Sequence, residues 1–474
     1  MLVQLAGDIG FPPEPQVWIL VVAMLIALAY TGTVRWPSHM LDISDQGQSL
    51  AKGDPYVIMN GKKQEVVLCA PEHLQAFFEN DARAHWKAVD GNLGYFLHRF
   101  AALSLNAGQY RKYLPTQAYG ALCGASERRE LDKDQAYGEL MELIQMREEL
   151  GRNAFLGLGM ISRFYALLPT RANRLLNEYT ERFKEFNLRM VALSEQKNLA
   201  TPVQQILSQV QASGSISWKQ FIHTVDETLF ENLDVAGSAL SALLINVAGD
   251  VAVQEQVLKE AARYVASDGE GIEAYLARSD THLERCCAES RRLSPALWFL
   301  LCECAPSDKN ICGFHIPAGT DVTIDWWRIN VHSPLWSAAV ATESGEKHIT
   351  GFDFYPDRFT VLSSLDYRHS LVGYGAGFRK CLGQHLASLM MRIVLFEVVS
   401  RYSIKAERRL CDVGFRRDKF IVTPNSEHLV FTKGPKIIFP ASDCHVQQFL
   451  AVETRGNLPK VFCAAVQGAA AFAT

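Results

Sequence analysis

The chain has 474 residues, 48% of them hydrophobic, with a formal net charge of −4 and eleven cysteines. That length and apolar content can build a large buried core. The slight acidity, with no basic stripe interleaved with aromatics, excludes nucleic acid as a partner. An odd number of cysteines at irregular spacings argues against a disulfide framework and fits a reducing compartment. Cys286 and Cys287 are adjacent and Cys302 and Cys304 form a C-x-C, but neither has the second pair or the histidines that a zinc site uses.

Residues 17–30 form an uncharged apolar run, with Asp8 and Glu14 before it and Arg35, His39 and Lys52 after it. The run is shorter than the roughly 20 residues of a comfortable membrane span, though Gln16 and residues 31–34 can extend it. Its cationic flank predicts that the following chain stays cytosolic. No basic segment precedes it and no small-residue cleavage site stands before Arg35, which favours an uncleaved anchor over 1–35 to a signal peptide. An interfacial or core helix is the remaining alternative.

From 36 to 106 the chain reads as a small β-rich lobe, with short strands at 56–59 and 65–69. They are broken by Asn60-Gly61-Lys62-Lys63, a turn of the kind Asn-Gly favours. A helix is expected to begin near Pro71, with proline in its first turn. Helical spacing of apolar and charged residues recurs over 131–150, 162–168 and 171–199. Leu229, Phe230, Leu233, Ala236, Leu240, Leu243, Leu244 and Val247 then fall on one helical stripe. A further helix is expected over 288–301, a strand at 322–324 and another at 433–439. Residues 441–474 form an alanine-rich tail with Cys444 and Cys463.

The chemistry concentrates in Tyr374-Gly375-Ala376-Gly377-Phe378-Arg379-Lys380-Cys381-Leu382-Gly383. One cysteine sits in a loop of small residues, with Arg379 two positions before it and a long apolar helix after it. Glycines there let the backbone approach a flat macrocycle and turn N–H groups toward the sulfur. Such a loop can present a thiolate to a haem iron, which favours O–O cleavage. A buried, inert cysteine before a helix is the alternative. Upstream, Glu289-Ser290-Arg291-Arg292 puts Glu289 and Arg292 three apart on one helix face. Arg358 in Pro356-Asp357-Arg358-Phe359 can share that carboxylate by bidentate pairing. A lone Glu-x-x-Arg means little. Its order matters more: Glu289 and Arg292, then Phe314-His315-Ile316-Pro317-Ala318-Gly319-Thr320 and a strand, then Arg358, then the cysteine loop.

In order and spacing these segments resemble the C-terminal half of the cytochrome P-450 superfamily. The resemblance implies a mainly α chain with a small β-rich lobe, the α+β cytochrome P-450 fold, with haem b buried between two central helices. Residues 36–440 would be the catalytic domain. Cys381 would be the axial ligand, with Tyr374, Gly375, Gly377, Arg379 and Gly383 against the haem and Arg379 on a propionate. Glu289, Arg292 and Arg358 would form a structural lock, and 175–211 a roof over the substrate pocket. Electrons would come from NADPH through a cytochrome reductase docking where Arg368, Arg379 and Lys380 are cationic. The anchor resembles the endoplasmic-reticulum tether of eukaryotic members, which places the catalytic domain in the cytosol.

The chain departs from the family at four places. Tyr374 stands where phenylalanine is usual. The Trp-Arg-x-x-Arg of the family is matched only by Tyr110-Arg111-Lys112-Tyr113-Leu114, which leaves Arg111 as the candidate propionate ligand. In Glu231-Asn232-Leu233-Asp234-Val235-Ala236, Asp234 aligns with the family's acid, but Val235 replaces the threonine that helps deliver protons to dioxygen. Asp234 is the candidate proton relay, or else a salt-bridged or capping carboxylate. Ser238, three residues beyond Val235, is the candidate replacement hydroxyl, or else a plain surface serine. The tail resembles nothing in the family. The Asn-Leu-Asp-Val stretch resembles fungal members, some acting on cyclic dipeptides. The expected activity is insertion of one oxygen atom into a small apolar or aromatic substrate of fungal secondary metabolism. A reductase-independent haem-thiolate enzyme running a rearrangement, dehydration or peroxygenation is the first alternative. A non-catalytic or defective haem-binding membrane protein is the second.

Overall fold

The computed structural model describes residues 40–60, 63–79, 169–196, 235–267, 271–342, 345–377, 380–381, 383–415, 421–425 and 429–433, with scattered positions between 139 and 226. The expected anchor, the tail, Arg111, Asp234 and Arg379 lie outside the described residues.

The chain begins with α1 (Met40–Ala51) and the hairpin β1 (Tyr56–Asn60) and β2 (Lys63–Leu68). Asn60 pairs with Lys63, so the hairpin closes at Asn-Gly as the sequence leads one to expect. Next, α2 (Pro71–Phe78) carries its proline in the first turn, where the missing N–H costs nothing. After α3 (Arg171–Gln196), Val235, with helical φ and ψ of −68° and −51°, leads into α4 (Ala236–Ala248). Then come α5 (Val251–Ser267), α6 (Gly271–Ala277) and α7 (His282–Leu293).

The helix expected over 288–301 is corrected here. Thr281 caps α7 by accepting from the Glu284 N–H, so the helix starts a turn and a half earlier. Ser294-Pro295 ends it, because proline disfavours helical geometry in the residue before it. The apolar residues beyond are β3 (Phe299–Cys304) instead. Next are β4 (Lys309–Ile311), β5 (Phe314–Ile316), β6 (Asp321–Asp325) and α8 (Trp326–His332). After β7 (Ala338–Thr342), β8 (Gly345–Ile349) and α9 (Arg358–Val361), the long α10 (Gln384–Val399) follows the cysteine loop. Last are β9 (Tyr402–Ala406), α11 (Leu410–Val413) and β10 (Leu429–Lys433). β10 pairs with β9 from Leu429, upstream of the strand expected at 433–439, whose remainder is outside the described residues.

Two bodies of core result. A four-stranded sheet runs β1-β2-β6-β3, with β2 and β6 parallel and the other pairs antiparallel. Against it pack Leu74 and Phe77 of α2 with Ile311 and Ile316. The helical body gathers α4, α5, α7 and α10 around Leu243, Val247, Val257, Leu283, Cys286, Cys287 and Leu395, all fully buried. Burial pushes the Cys286 and Cys287 thiols up, so both stay neutral and serve as small apolar residues. Among the described residues no single helix is long and apolar enough to cross a membrane. α4 with the first part of α5 passes only as a pair bent by 101°, and both belong to this buried body.

Asp325 joins α1, the sheet and α8. It caps α8 by accepting from the Arg328 N–H at 2.9 Å, and it also accepts from Ser44 and Tyr56. Burial pushes its carboxyl up to about 6 against the pull of these bonds. Folded protein therefore holds this proton at pH values where an unfolded aspartic acid, with a pKa of about 3.9, has lost it. Stability contributed here falls as pH rises from about 4 to about 6 and is level above. At roughly 1.4 kcal/mol per pH unit of displacement, the loss is about 3 kcal/mol. Asp325→Asn keeps the cap and removes the proton, so thermal melts should show the variant gaining on the wild type between pH 4 and 6.5. A difference that stays constant across that window contradicts the assignment.

Candidate active site

Glu289 is the buried hub below the cysteine loop. Its two oxygens accept from Arg292 Nη2 and Nε, each at 2.9 Å. Oε1 also accepts from Arg358 Nε at 2.9 Å and from the Tyr355 N–H at 3.0 Å. The guanidiniums still have donors to place, and backbone carbonyls take them. Arg292 reaches the carbonyls of Asn330 and Gly351 at 3.0 and 2.6 Å. Arg358 reaches those of Thr350 and Asp353 at 3.2 and 3.0 Å, and also that of Trp336. Gly351 is needed for its close approach, since a Cβ there would stand 2.0 Å from the Val331 oxygen. The three charged residues expected to form a lock are thus brought together, and they clamp α7 to the 350–358 segment. Burial pulls the Arg358 guanidinium down, with Glu289 acting against it.

The clamp is passed upward to the loop by Asn330. Its backbone carbonyl accepts from Arg292, while its Oδ1 accepts from the Val372 N–H at 2.8 Å. Gly375 and Gly377 have φ of +84° and +65°, the left-handed region that glycine takes without penalty. A Cβ on Gly377 would also lie 2.4 Å from the Phe78 ring, so the loop packs directly on α2. The Cys381 N–H donates to the Tyr374 carbonyl at 2.7 Å, closing the loop on itself. Gly383 is the N-cap of α10, and a Cβ built there would lie 3.7 Å from the Cys381 sulfur. Cys381 therefore sits at the positive end of a 16-residue helix, where a thiolate is favoured. It is exposed, whereas Cys69, Cys286 and Cys287 are buried.

Ser238 is not on the surface. It is buried in α4 and its hydroxyl donates to the Val422 carbonyl, while the Val422 N–H donates to the Ala296 carbonyl at 3.2 Å. The hydroxyl proton is thus directed at a backbone carbonyl, and it ties α4 to the segment after α7. Val235 and Ala236 carry no hydroxyl.

A second charge network escaped the sequence reading. Glu284 accepts from Arg291 at 2.8 Å through one oxygen and from Arg392 at 3.0 Å through the other. The Arg291 guanidinium lies 5.0 Å from the centre of the Tyr374 ring, and the Tyr374 and Ser388 hydroxyls are 2.8 Å apart. A signal for it exists: Glu284 and Arg291 are two helical turns apart, and Arg392 interrupts the apolar face of α10.

A sequence model of the cytochrome P450 family matches residues 121–431. The cytochrome P450 monooxygenase lepD of Aspergillus flavus is 30% identical over 423 residues, covering 77% of this chain and 80% of that protein. The cytochrome P450 monooxygenase aclC of Aspergillus oryzae is 28% identical, covering 78% of this chain and 84% of its own. In fold, a zebra fish cytochrome P450 structure with progesterone superimposes with a TM-score of 0.57. Its identity is 17%, covering 84% of this chain and all of the other. The chain belongs to the cytochrome P450 family, and it is a P450-type monooxygenase. The family implies a haem-thiolate iron. An exposed cysteine at a helix N-terminus, in a loop with two glycines of positive φ, fits that group.

Two substitutions probe this frame. Glu289→Gln leaves two buried guanidiniums without their counter-charge and should lower unfolding free energy by roughly 3–5 kcal/mol in denaturant titrations. A loss below about 1 kcal/mol would show the lock to be no more than a surface-grade pair. Ser238→Ala leaves the buried Val422 carbonyl short of a donor and should cost about 1–3 kcal/mol by the same measurement. An unchanged midpoint contradicts the tether.

Proposed function

We propose that this monooxygenase is a membrane-anchored haem-thiolate enzyme of fungal secondary metabolism, with Cys381 as the iron ligand. The observation that carries this reading is the exposed Cys381 sulfur, set at the N-terminus of α10 in a loop pinned to the Glu289 lock. When bound, haem b supplies the activation of dioxygen, for which an axial thiolate is the favourable ligand. The protein's part is orientation and proton control. Gly375 and Gly377 let the backbone turn close beneath a flat macrocycle, and Arg379, with Arg111, holds its propionates. The Tyr374 carbonyl holds the Cys381 amide in place and so keeps the sulfur aimed.

Asp234 is the proposed proton relay, one residue before Val235 at the start of α4. Ser238 has its proton on Val422, so it braces this helix and leaves the relay to Asp234 with water. Electrons come from NADPH through a reductase on the cysteine side, where Arg368 and exposed Lys380 add positive charge that speeds encounter. The anchor over 1–35 holds the chain to the endoplasmic-reticulum membrane with the catalytic domain cytosolic. The substrate is a small apolar or aromatic molecule, and the fungal relatives support a biosynthetic role, with a cyclic dipeptide as one substrate class. The missing hydroxyl at Val235 and Ala236 favours one second reading, a haem-thiolate enzyme that works without the reductase.

Reduced, carbon-monoxide-treated protein should show the red-shifted band of thiolate-ligated haem, and Cys381→Ala should abolish it. A wild-type spectrum without that band would falsify the haem-thiolate assignment. Turnover that needs both NADPH and reductase supports the first reading. Full-rate product formation without them supports the second.

A further inference from the structure

The second charge network lies directly against the base of the cysteine loop, and its charges do not cancel. Glu284 is shared by Arg291 and Arg392, which leaves one positive charge in excess. Arg291 is 11% exposed, but its Nη1 is buried and has no hydrogen-bond partner among the described residues. Burial opposes its charge, yet Glu284 and Tyr374 hold the guanidinium firmly cationic. The rest of its solvation comes from the face of the Tyr374 ring, at 5.0 Å. That ring is fixed from the other end by Ser388, one turn into α10. The Tyr374 carbonyl in turn receives the Cys381 N–H. A cation, an aromatic ring and the cysteine are thus mechanically in series.

We propose that Arg291, held by Glu284 and stacked on Tyr374, is a positioning residue for the Cys381 loop whose uncompensated positive charge raises the reduction potential of the haem bound there. This rests on Cys381 being the iron ligand. The reasoning is electrostatic. Adding one electron to the iron makes the site more negative, and a buried cation nearby favours that form over the oxidised one. A unit charge roughly 10 Å away at an effective dielectric of about 20 changes an equilibrium by about tenfold. The Glu289 lock carries the same excess of one positive charge, but it faces the 350–358 segment, whereas Arg291 lies against Gly373 and Tyr374 of the cysteine loop.

Reductive titration of the full-length, haem-loaded protein tests it. Arg291→Met should shift the ferric–ferrous equilibrium about tenfold toward ferric, a midpoint lower by ~59 mV for one electron. Glu284→Gln, which removes the counter-charge, should move the midpoint the other way. Arg291→Lys keeps the charge but not the planar stack. It should therefore hold the potential near the wild-type value while the ferrous carbon-monoxide complex loses its thiolate band faster. If Arg291→Met does not load haem, Arg291→Gln takes its place with the same expected sign. Wild-type protein without the thiolate band overturns the ligand assignment itself. A wild type with that band, and midpoints that are unmoved or move together in Arg291→Met and Glu284→Gln, overturns this inference alone.

Discussion

A carboxylate removed entirely from water has to be matched by donors, and Glu289 is matched by Arg292, Arg358 and the Tyr355 amide. Arg292 shares α7 with Glu289, while Tyr355 and Arg358 both come from 350–358, so satisfying one buried charge also fixes the path of that segment. The arginines are over-supplied with donors, and their surplus is taken up by main-chain carbonyls. Breaking any part of this leaves several groups unsatisfied at once. That is why such a network specifies one arrangement even where its net contribution to stability is modest.

The cysteine loop inherits its position from this network through Asn330 and Val372, and from α2 through the Phe78–Gly377 contact. α7 therefore presents two faces of opposite purpose. Glu289 and Arg292 look toward 350–358 and hold the scaffold, while Glu284 and Arg291 look toward Tyr374 and α10. α4 is braced independently, by the Ser238 hydroxyl against the Val422 carbonyl. α4 is thus tied to the segment after α7, where Ala296 and Leu297 pair with Val422 and Ile421.

Much of this is legible in the sequence wherever the physics is local or the residue types are distinctive. The β1–β2 hairpin follows from Asn60-Gly61, the α2 start from Pro71, and the lock from Glu289, Arg292 and Arg358 in their order. The end of α7 is read wrongly because the apolar run 296–301 continues the helical pattern, whereas Pro295 and the pairing with β6 override it. Ser238 looks like a surface serine or a replacement hydroxyl because its partner, Val422, is 184 residues away. The Glu284–Arg291–Arg392 network is missed for a related reason: spacing puts Glu284 and Arg291 on one helix, but Arg392 joins them only when α7 and α10 pack together.

At the centre of the account is a single bond, from the Cys381 sulfur to iron, made possible by a loop that the Glu289 network holds in place. X-ray absorption at the iron edge of the haem-loaded protein reads that bond without reference to any substrate or reductase. The account predicts one sulfur in the first coordination shell of the wild type, absent in Cys381→Ser and retained in a Cys411→Ser variant, since Cys411 is also exposed. A wild-type shell of nitrogen and oxygen alone, or a sulfur that survives Cys381→Ser, would contradict it.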